Sequence, residues 1–447
     1  MKVYELETTH RVLRYRDNAA GAVLDLPEDD SVVLIEPPQV VAAASSAVED
    51  ALLAPVAAPS LTELARGRRR VAIITSDSTR SVPCSRLLDS VVPQLLAAGV
   101  ALQEIVVVVA VGAHRPATDE EMTGFLGSQW QGQIRIINHN AFDEDELVTV
   151  GLTPRGNEVV INRTVAEADL RIAFGQVEPH EFAGFSGGPK SVLAGVSGEV
   201  PIKRNHSPGM LMQPHALPGI TAGNPIWEDM MDAATLLGLH FIVNVVLTPR
   251  LEIAGVRAGS LTETHAAVVD LYKRLYGVAL PEPHSADIVV TTPGAPLDMN
   301  LYQCVKALVA VQGLVRDGGA IVLYAGCQEG TGGAEFVAPF LDADRPETVL
   351  SKLNDPAYYK IEMDHALLMC RLMTQRGLTL VLHTPGVPDA VLRSMFCAPT
   401  TSLQEAYGTA RDQVSTSRSV VTLLYPQPQK VFMQHHPSAP KLFTRTG

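Results

Sequence analysis

The sequence predicts an α/β protein of two domains with mainly parallel sheets, and three observations carry that expectation. Short β-branched runs alternate with segments of helical spacing. The runs are continuously apolar and do not alternate with polar residues, which is the pattern of strands buried on both faces. A proline-rich crossing, "YGVALPEPHSAD" at 276–287, separates two regions patterned in this way.

In chain order, "RVAIITSD" (70–77) reads as a buried strand. "SRLLDSVVPQLLAAGV" (85–100) follows with helical spacing that Pro93 is expected to kink or break. "EIVVVVAVGAH" (104–114) is a second continuous strand, "DEEMTGFLG" a short helix and "QIRIINHN" another strand. "DLRIAFGQVEPH" (169–180) repeats the strand-then-loop design, and "HFIVNVVLTP" (240–249) adds one more apolar strand. Beyond the crossing, "DIVVTTPG" (287–294), "GAIVLYAGC" and "LTLVLHTPG" (378–386) read as strands, with "YQCVKALVAVQGLV" as a helix. "TSLQEAYGTARDQV" is helical, "SVVTLLYPQP" follows it, and the end, "MQHHPSAPKLFTRTG", is expected to fray. These segments outline an N-terminal domain over 1–280, completed by 402–447, and a smaller domain over 285–400. Both carry Rossmann-like sheets, and the active site is expected in the cleft between them.

Composition narrows the class of function. Of 447 residues 46% are apolar and 19% charged, which describes a chain with sizeable cores. The net charge of −13 argues against a general nucleic-acid binder, although a pocket can be locally basic on an acidic protein. Five cysteines (84, 304, 327, 370 and 397) are widely spaced with no C-x-x-C pair, so reduced thiols and a cytoplasmic location are expected. The first residues, "MKVYELETTHRVLRYRD", do not resemble a signal peptide, and the longest apolar run is too short to span a membrane.

The stretch "GFSGGPKS" (184–191) has the outline of a phosphate loop, G-x-x-x-x-G-K-[ST], with Pro189 in place of the last glycine. Proline removes one amide donor from the loop but suits the first turn of a helix starting at Lys190, so an NTPase is disfavoured. Taken alone, such a segment is most simply a glycine-rich turn with a solvated lysine. Its neighbours change that reading. Within "EPHEFAGFSGGPKSVLAGVSGEVPIKRNHSPGM" lie His180, Ser186, Gly187, Gly188, Lys190 and His206. Imidazoles at loop positions beside a lysine and backbone amides suit an anion, a metal or both. Three strand ends carry residues of catalytic type: Asp77 with Arg80 in "SDSTRSVP", His114 in "VGAHRP", and His180. Arginine there suits bidentate carboxylate or phosphate binding, with a helix-start salt bridge as the plainer alternative. In the second domain Tyr302 and Lys306 share a helix face, with Gln303 adjacent.

"DSTR", "VGAHRP", "EPHEFAGFSGGPKSVLAG", "NH" and "YQCVK", in this order, resemble the nickel-dependent lactate racemase family, most specifically from Glu178 to His206. The resemblance implies a nickel-pincer nucleotide, a pyridinium mononucleotide with two sulfur-containing groups, linked to Lys190 as a thioamide. It implies His206 as the protein's nickel ligand and His114 and His180 as the acid/base pair. Arg80, Tyr302, Gln303 and Lys306 would bind substrate, while Asp77, Ser186, Gly187 and Gly188 would lie at the cofactor. The implied reaction is racemisation or epimerisation of a small-molecule 2-hydroxy acid by hydride abstraction and return. Cofactor-biosynthesis proteins would be its maturation partners, with no nucleic acid or membrane involved. Two departures stand out. Ala194-Gly195 replaces a usual Pro-Gly, and "PAYYKIEMDHALLMCRL" lacks the tryptophan that typical members carry beside the substrate. The second implies a 2-hydroxy acid other than lactate, whether aliphatic, aromatic, malate-like or a sugar acid. Two other readings stay open on the residues alone: a metal-dependent hydrolase or lyase built on His114, His180 and His206, and a non-catalytic nucleotide-binding sensor.

Overall fold

The computed structural model describes residues 4–7, 12–16, 21–27, 30–35, 37–279, 285–295, 297–414, 419–428 and 431–434. The chain divides into two compact units, one of residues 39–275 and one of residues 1–38 with 276–447.

The first unit is organised by a six-stranded sheet. Its order is Ile253–Gly259, Phe241–Leu247, Leu170–Gln176, Val71–Ser76, Ile105–Ala110 and Arg135–Asn138. Every pairing is parallel except that of the Ile253–Gly259 edge strand. The register explains the apolar runs. Ile136, Val107, Ile73, Ile172 and Phe241 stand side by side in one row across five strands and feed a single core. The helix Cys84–Ala97 covers that face with Leu87, Leu88, Val91, Val92 and Leu95. It runs through Pro93 without the expected break. Pro93 and Asp89, the residue whose carbonyl the proline cannot serve, are both exposed, so water can take the place of the missing donor. The expected short helix at "DEEMTGFLG" extends over Asp119–Trp130, with a kink at Gly127 (φ +68°). The antiparallel edge strand was not expected, because the glycines and arginine of "IAGVRAG" interrupt its apolar pattern.

The second unit has its own six-stranded, all-parallel sheet. Its order is Ala398–Pro399, Thr379–His383, Val315–Tyr324, Ala286–Thr292, Val421–Pro426 and Ser31–Leu34. Leu34, Leu424, Val290, Val322, Val381 and Ala398 form one row across all six strands. The helix Leu403–Val414 seals that row with Leu403, Ala406, Tyr407 and Ala410. This corrects the expected domain boundary. Segment 402–426 does not complete the first unit; its strand is held between Ala286–Thr292 and Ser31–Leu34, where its apolar side chains find partners. A buried carboxylate fastens the same corner, with Asp30 taking the Arg411 guanidinium and the Tyr407 hydroxyl (2.8 Å). The stretch expected to fray lies, from residue 435 on, outside the described residues. Among the described residues no helix is long and apolar enough to cross a membrane.

Candidate active site

In the 39–275 unit three parallel strands end next to one another, and the loops that follow them carry the candidate residues. After Val71–Ser76 comes Asp77, whose Oδ1 accepts from the Thr79 amide (3.1 Å) and hydroxyl (2.5 Å) in a tight turn. Its other oxygen, Oδ2, meets His114 Nδ1 at 2.8 Å, from the loop after Ile105–Ala110. Burial alone would raise the Asp77 carboxyl. The His114 hydrogen bond and charge, the Thr79 hydroxyl and the Arg80 charge outweigh burial and hold it below the usual carboxylate range. Nδ1 is therefore the nitrogen held by the carboxylate, which leaves Nε2 as the other ring nitrogen of an imidazole that is 61% exposed. The adjacent Arg115 is committed elsewhere, in a two-bond fork with Glu121 (2.8 and 2.7 Å).

Arg80 reaches Glu178 at 3.9 Å, from the loop after Leu170–Gln176. Gln176 ties the same loops together: its Nε2 donates to Glu178 (3.0 Å) and its Oε1 accepts from the Ser81 amide (3.0 Å). An ion pair at 3.9 Å is loose for a charged contact, so the guanidinium is not locked to Glu178. His180 is buried and begins a two-residue hairpin, Pro179–His180 against Gly184–Phe185. Phe182 at its tip has the His180 ring edge-on at 4.7 Å and the His206 ring edge-on at 4.8 Å. His206 ends the helix Glu199–Asn205 and is nearly buried. Its neighbour Asn205 is anchored by Asp229 (2.9 Å), a buried carboxylate that also takes Asn157 (2.9 Å) and Thr153 (2.6 Å).

The lysine turn itself is a short 3-10 helix, Gly188–Ser191, with Pro189 in its first turn, where the sequence suggested a helix starting at Lys190. Its amides are not held open as a phosphate nest. Gly188 N–H donates to Asn244 Oδ1 (3.0 Å), Lys190 N–H to Gly187 O (3.1 Å) and Ser186 N–H to Glu178 O (2.9 Å). Gly187 and Gly188 both have positive φ (+74° and +48°), and a Cβ on Gly188 would stand 2.4 Å from His265 Cδ2. These glycines let the turn pack down onto the sheet and onto His265, whose Nε2 meets Ser186 O at 3.0 Å. The Ser186 hydroxyl donates to Gln176 O (2.8 Å) and accepts from the Glu178 amide (3.0 Å), latching turn to strand end. Gly112 N–H donates to Gly195 O (2.9 Å), fastening the His114 loop to the lysine segment. Asn244 and His265 were not singled out from the sequence. Each sits within a regular element far along the chain, and only the packing brings it to the turn.

Tyr302, Gln303 and Lys306 belong to the other unit, at the start of the helix Leu301–Val311. Asn300 caps that helix by accepting from Gln303 N–H (3.0 Å), and the 330–331 loop accepts the Leu301 and Tyr302 amides. Lys306 Nζ donates to Gln303 Oε1 (2.8 Å). Tyr302 instead turns to Asp364 and His365, two buried residues that the sequence left unremarked. All five cysteines are buried free thiols. Among the described residues no three His, Cys, Asp or Glu side chains are grouped as a metal site.

Comparison with known proteins agrees with this layout. Residues 19–219 match the lactate racemase N-terminal domain family, and residues 282–426 match the lactate racemase C-terminal domain family. The chain is 38% identical over 311 residues to the lactate racemase of Lactiplantibacillus plantarum, covering 69% of this chain and 72% of that one. It is 32% identical over 381 residues to the lactate racemase of Thermoanaerobacterium thermosaccharolyticum, covering 83% and 87%. The structure of the latter's apoprotein superposes with a TM-score of 0.85 at 29% identity, over 94% of this chain and 99% of that one. A Thermotoga maritima protein shares the fold with a TM-score of 0.63 at 18% identity, over 89% and 100%. Two matched domains, in order and across most of the chain, identify it as a member of the lactate racemase family, an isomerase of the racemase class.

Proposed function

We propose that the chain racemises or epimerises a 2-hydroxy acid with a nickel-pincer nucleotide tethered at Lys190. The observation that carries the reading is the convergence at one sheet end of two imidazoles, a guanidinium and a lysine turn. Asp77 orients His114, Arg80 pairs loosely with Glu178 beside His180, and the His114 loop is bonded to the lysine segment.

The residues present suit that cofactor. His206 and His180 stand on the same Phe182 ring, at 4.8 and 4.7 Å, so an imidazole donor lies close to a candidate base. His206 would complete the donor set of a metal held mainly by an organic ligand, and imidazole is a good donor to nickel. Lys190 would carry the covalent link, with Asp77, Ser186, Gly187 and Gly188 shaping the wall near it. When bound, the cofactor supplies an acceptor for the hydride from substrate C2 and a donor for its return.

The remaining work falls to this chain. His114 and His180 take up and return the hydroxyl proton, one for each enantiomer, since the two enantiomers present the hydroxyl differently. Arg80 would hold the carboxylate from the 39–275 unit, and Tyr302, Gln303 and Lys306 are the substrate-binding candidates of the other unit. Retention of the oxidised, planar acid during reorientation depends on those cationic contacts.

The test uses protein co-produced with cofactor-biosynthesis proteins. Peptide mass spectrometry is expected to find an adduct on Lys190, and chiral chromatography to find racemisation of at least one 2-hydroxy acid. A Lys190→Ala protein that keeps both adduct and activity overturns the reading.

A further inference from the structure

We propose that Asp364 and His365 are specificity-determining residues that select a 2-hydroxy acid carrying a further hydroxyl group on its chain. This rests on the reading of Tyr302 as a substrate-binding residue. The pair opens the helix Asp364–Arg376, and both side chains are buried. Asp364 Oδ1 accepts from the His365 amide (2.8 Å) and lies 3.0 Å from His365 Nδ1, so the imidazole is held by its own neighbour's carboxylate. The His365 ring lies against Tyr302 at 4.0 Å between centroids, tilted by 38°. Phe336 closes another side of the phenol edge-on at 5.6 Å. The Tyr302 hydroxyl approaches Asp364 Oδ1 at 3.5 Å, long beside the usual ~2.7–2.8 Å for such a bond.

Tyr302 is thus set in a polar wall. A carboxylate in low-dielectric surroundings accepts hydrogen bonds strongly, disfavours a second carboxylate and offers nothing to a methyl group. Nearby, Glu362 packs against Gly333, next to the Gly332 that abuts Tyr302 Cβ. A neutral hydroxyl donor is the substituent such a wall accepts, in preference to the methyl of lactate or the second carboxylate of malate. A site built to hydrogen-bond a substrate hydroxyl discriminates strongly against the analogue that lacks it.

Glycerate differs from lactate by one hydroxyl at C3 and isolates this effect. With holo-protein, kcat/KM for glycerate is expected to exceed those for lactate and malate by ~10-fold or more. The glycerate-to-lactate ratio is expected to fall at least ~10-fold in both Asp364→Asn and His365→Phe. Equal turnover of glycerate and lactate by the unaltered protein, a preference for malate, or a ratio unmoved by both substitutions overturns the inference. Calorimetric binding of the three acids to the same proteins separates it from the reaction. Glycerate-selective binding that depends on Asp364, without racemisation of any acid, sustains this inference while overturning the proposed reaction.

Discussion

Asp77–His114 and Asp364–His365 are the same chemical pair, a carboxylate 2.8 or 3.0 Å from an imidazole Nδ1, one in each unit. Their surroundings differ. The first joins two strand ends that lie 37 residues apart in sequence and leaves its imidazole 61% exposed. The second joins neighbours in one helical turn and leaves its imidazole 2% exposed beneath a tyrosine. Exposure lets an imidazole pass a proton to a substrate, whereas burial keeps its ring in one orientation. Under the proposed function, similar pairings would serve chemistry in one place and shape in the other.

Substitutions can break this contrast. The largest effect is expected from His114→Asn, which removes a general acid/base; kcat should fall by about 10³-fold with the fold intact by circular dichroism. A fall of less than tenfold would deny the exposed pair its chemical role. Asp77→Asn keeps His114 but releases its ring and tautomer, and a loss of ~30-fold in kcat with little change in KM is expected. A change confined to KM would make Asp77 a binding residue instead.

Two histidines without carboxylate partners calibrate what burial does by itself. Burial pushes His139 and His265 down to about 4, against the partial opposition of the carbonyls of Ser197 and Ser186. Both folded values lie below the ordinary 6.5 of the unfolded chain, so between pH 6.5 and 4 the unfolded state binds more protons. The stability these groups contribute is intact above that window and is lost as pH falls through it, by at most about 3 kcal/mol each. Urea melts at pH 7.5, 5.5 and 4.5 should show the decline, and His139→Gln should make it shallower. A parallel decline in both proteins would assign the acid sensitivity elsewhere. The smallest effect is a difference in labelling rate. Diethyl pyrocarbonate, followed by peptide mass spectrometry, should modify His114 at least ~10 times faster than His365.

The sequence announced one pair and hid the other for a physical reason. Asp77 and His114 stand in loops directly after apolar strands, where a polar residue is conspicuous and parallel sheets place their ligands. Asp364 and His365 begin a helix, a place where polar residues are ordinarily solvated. Only the packing of that helix in the fold, against Pro346–Leu353 and Leu301–Val311 among others, buries them. The same distinction runs through the fold. Val71–Ser76 and Ile105–Ala110 were legible because each strand is apolar on its own account. The partner of Val421–Pro426 could not be read, because pairing with Ser31–Leu34 is a property of two distant segments and of neither alone. Likewise the spacing that puts Tyr302 and Lys306 on one helical face could not reveal that Lys306 meets Gln303 or that the Tyr302 ring lies against His365.

The pairing of Ser31–Leu34 with Val421–Pro426 also sets an order of events at the ribosome. Roughly 390 residues separate these neighbours in the sheet, or on the order of 20–80 s of synthesis at common elongation rates. The 39–275 unit has all six strands of its sheet once Gly259 has emerged, long before that interval ends. The early strand, with Val32, Val33 and Leu34, must stay out of that neighbouring sheet until its proper partner is made. The 39–275 unit can therefore assemble its sheet before the strand made ahead of it meets its partner.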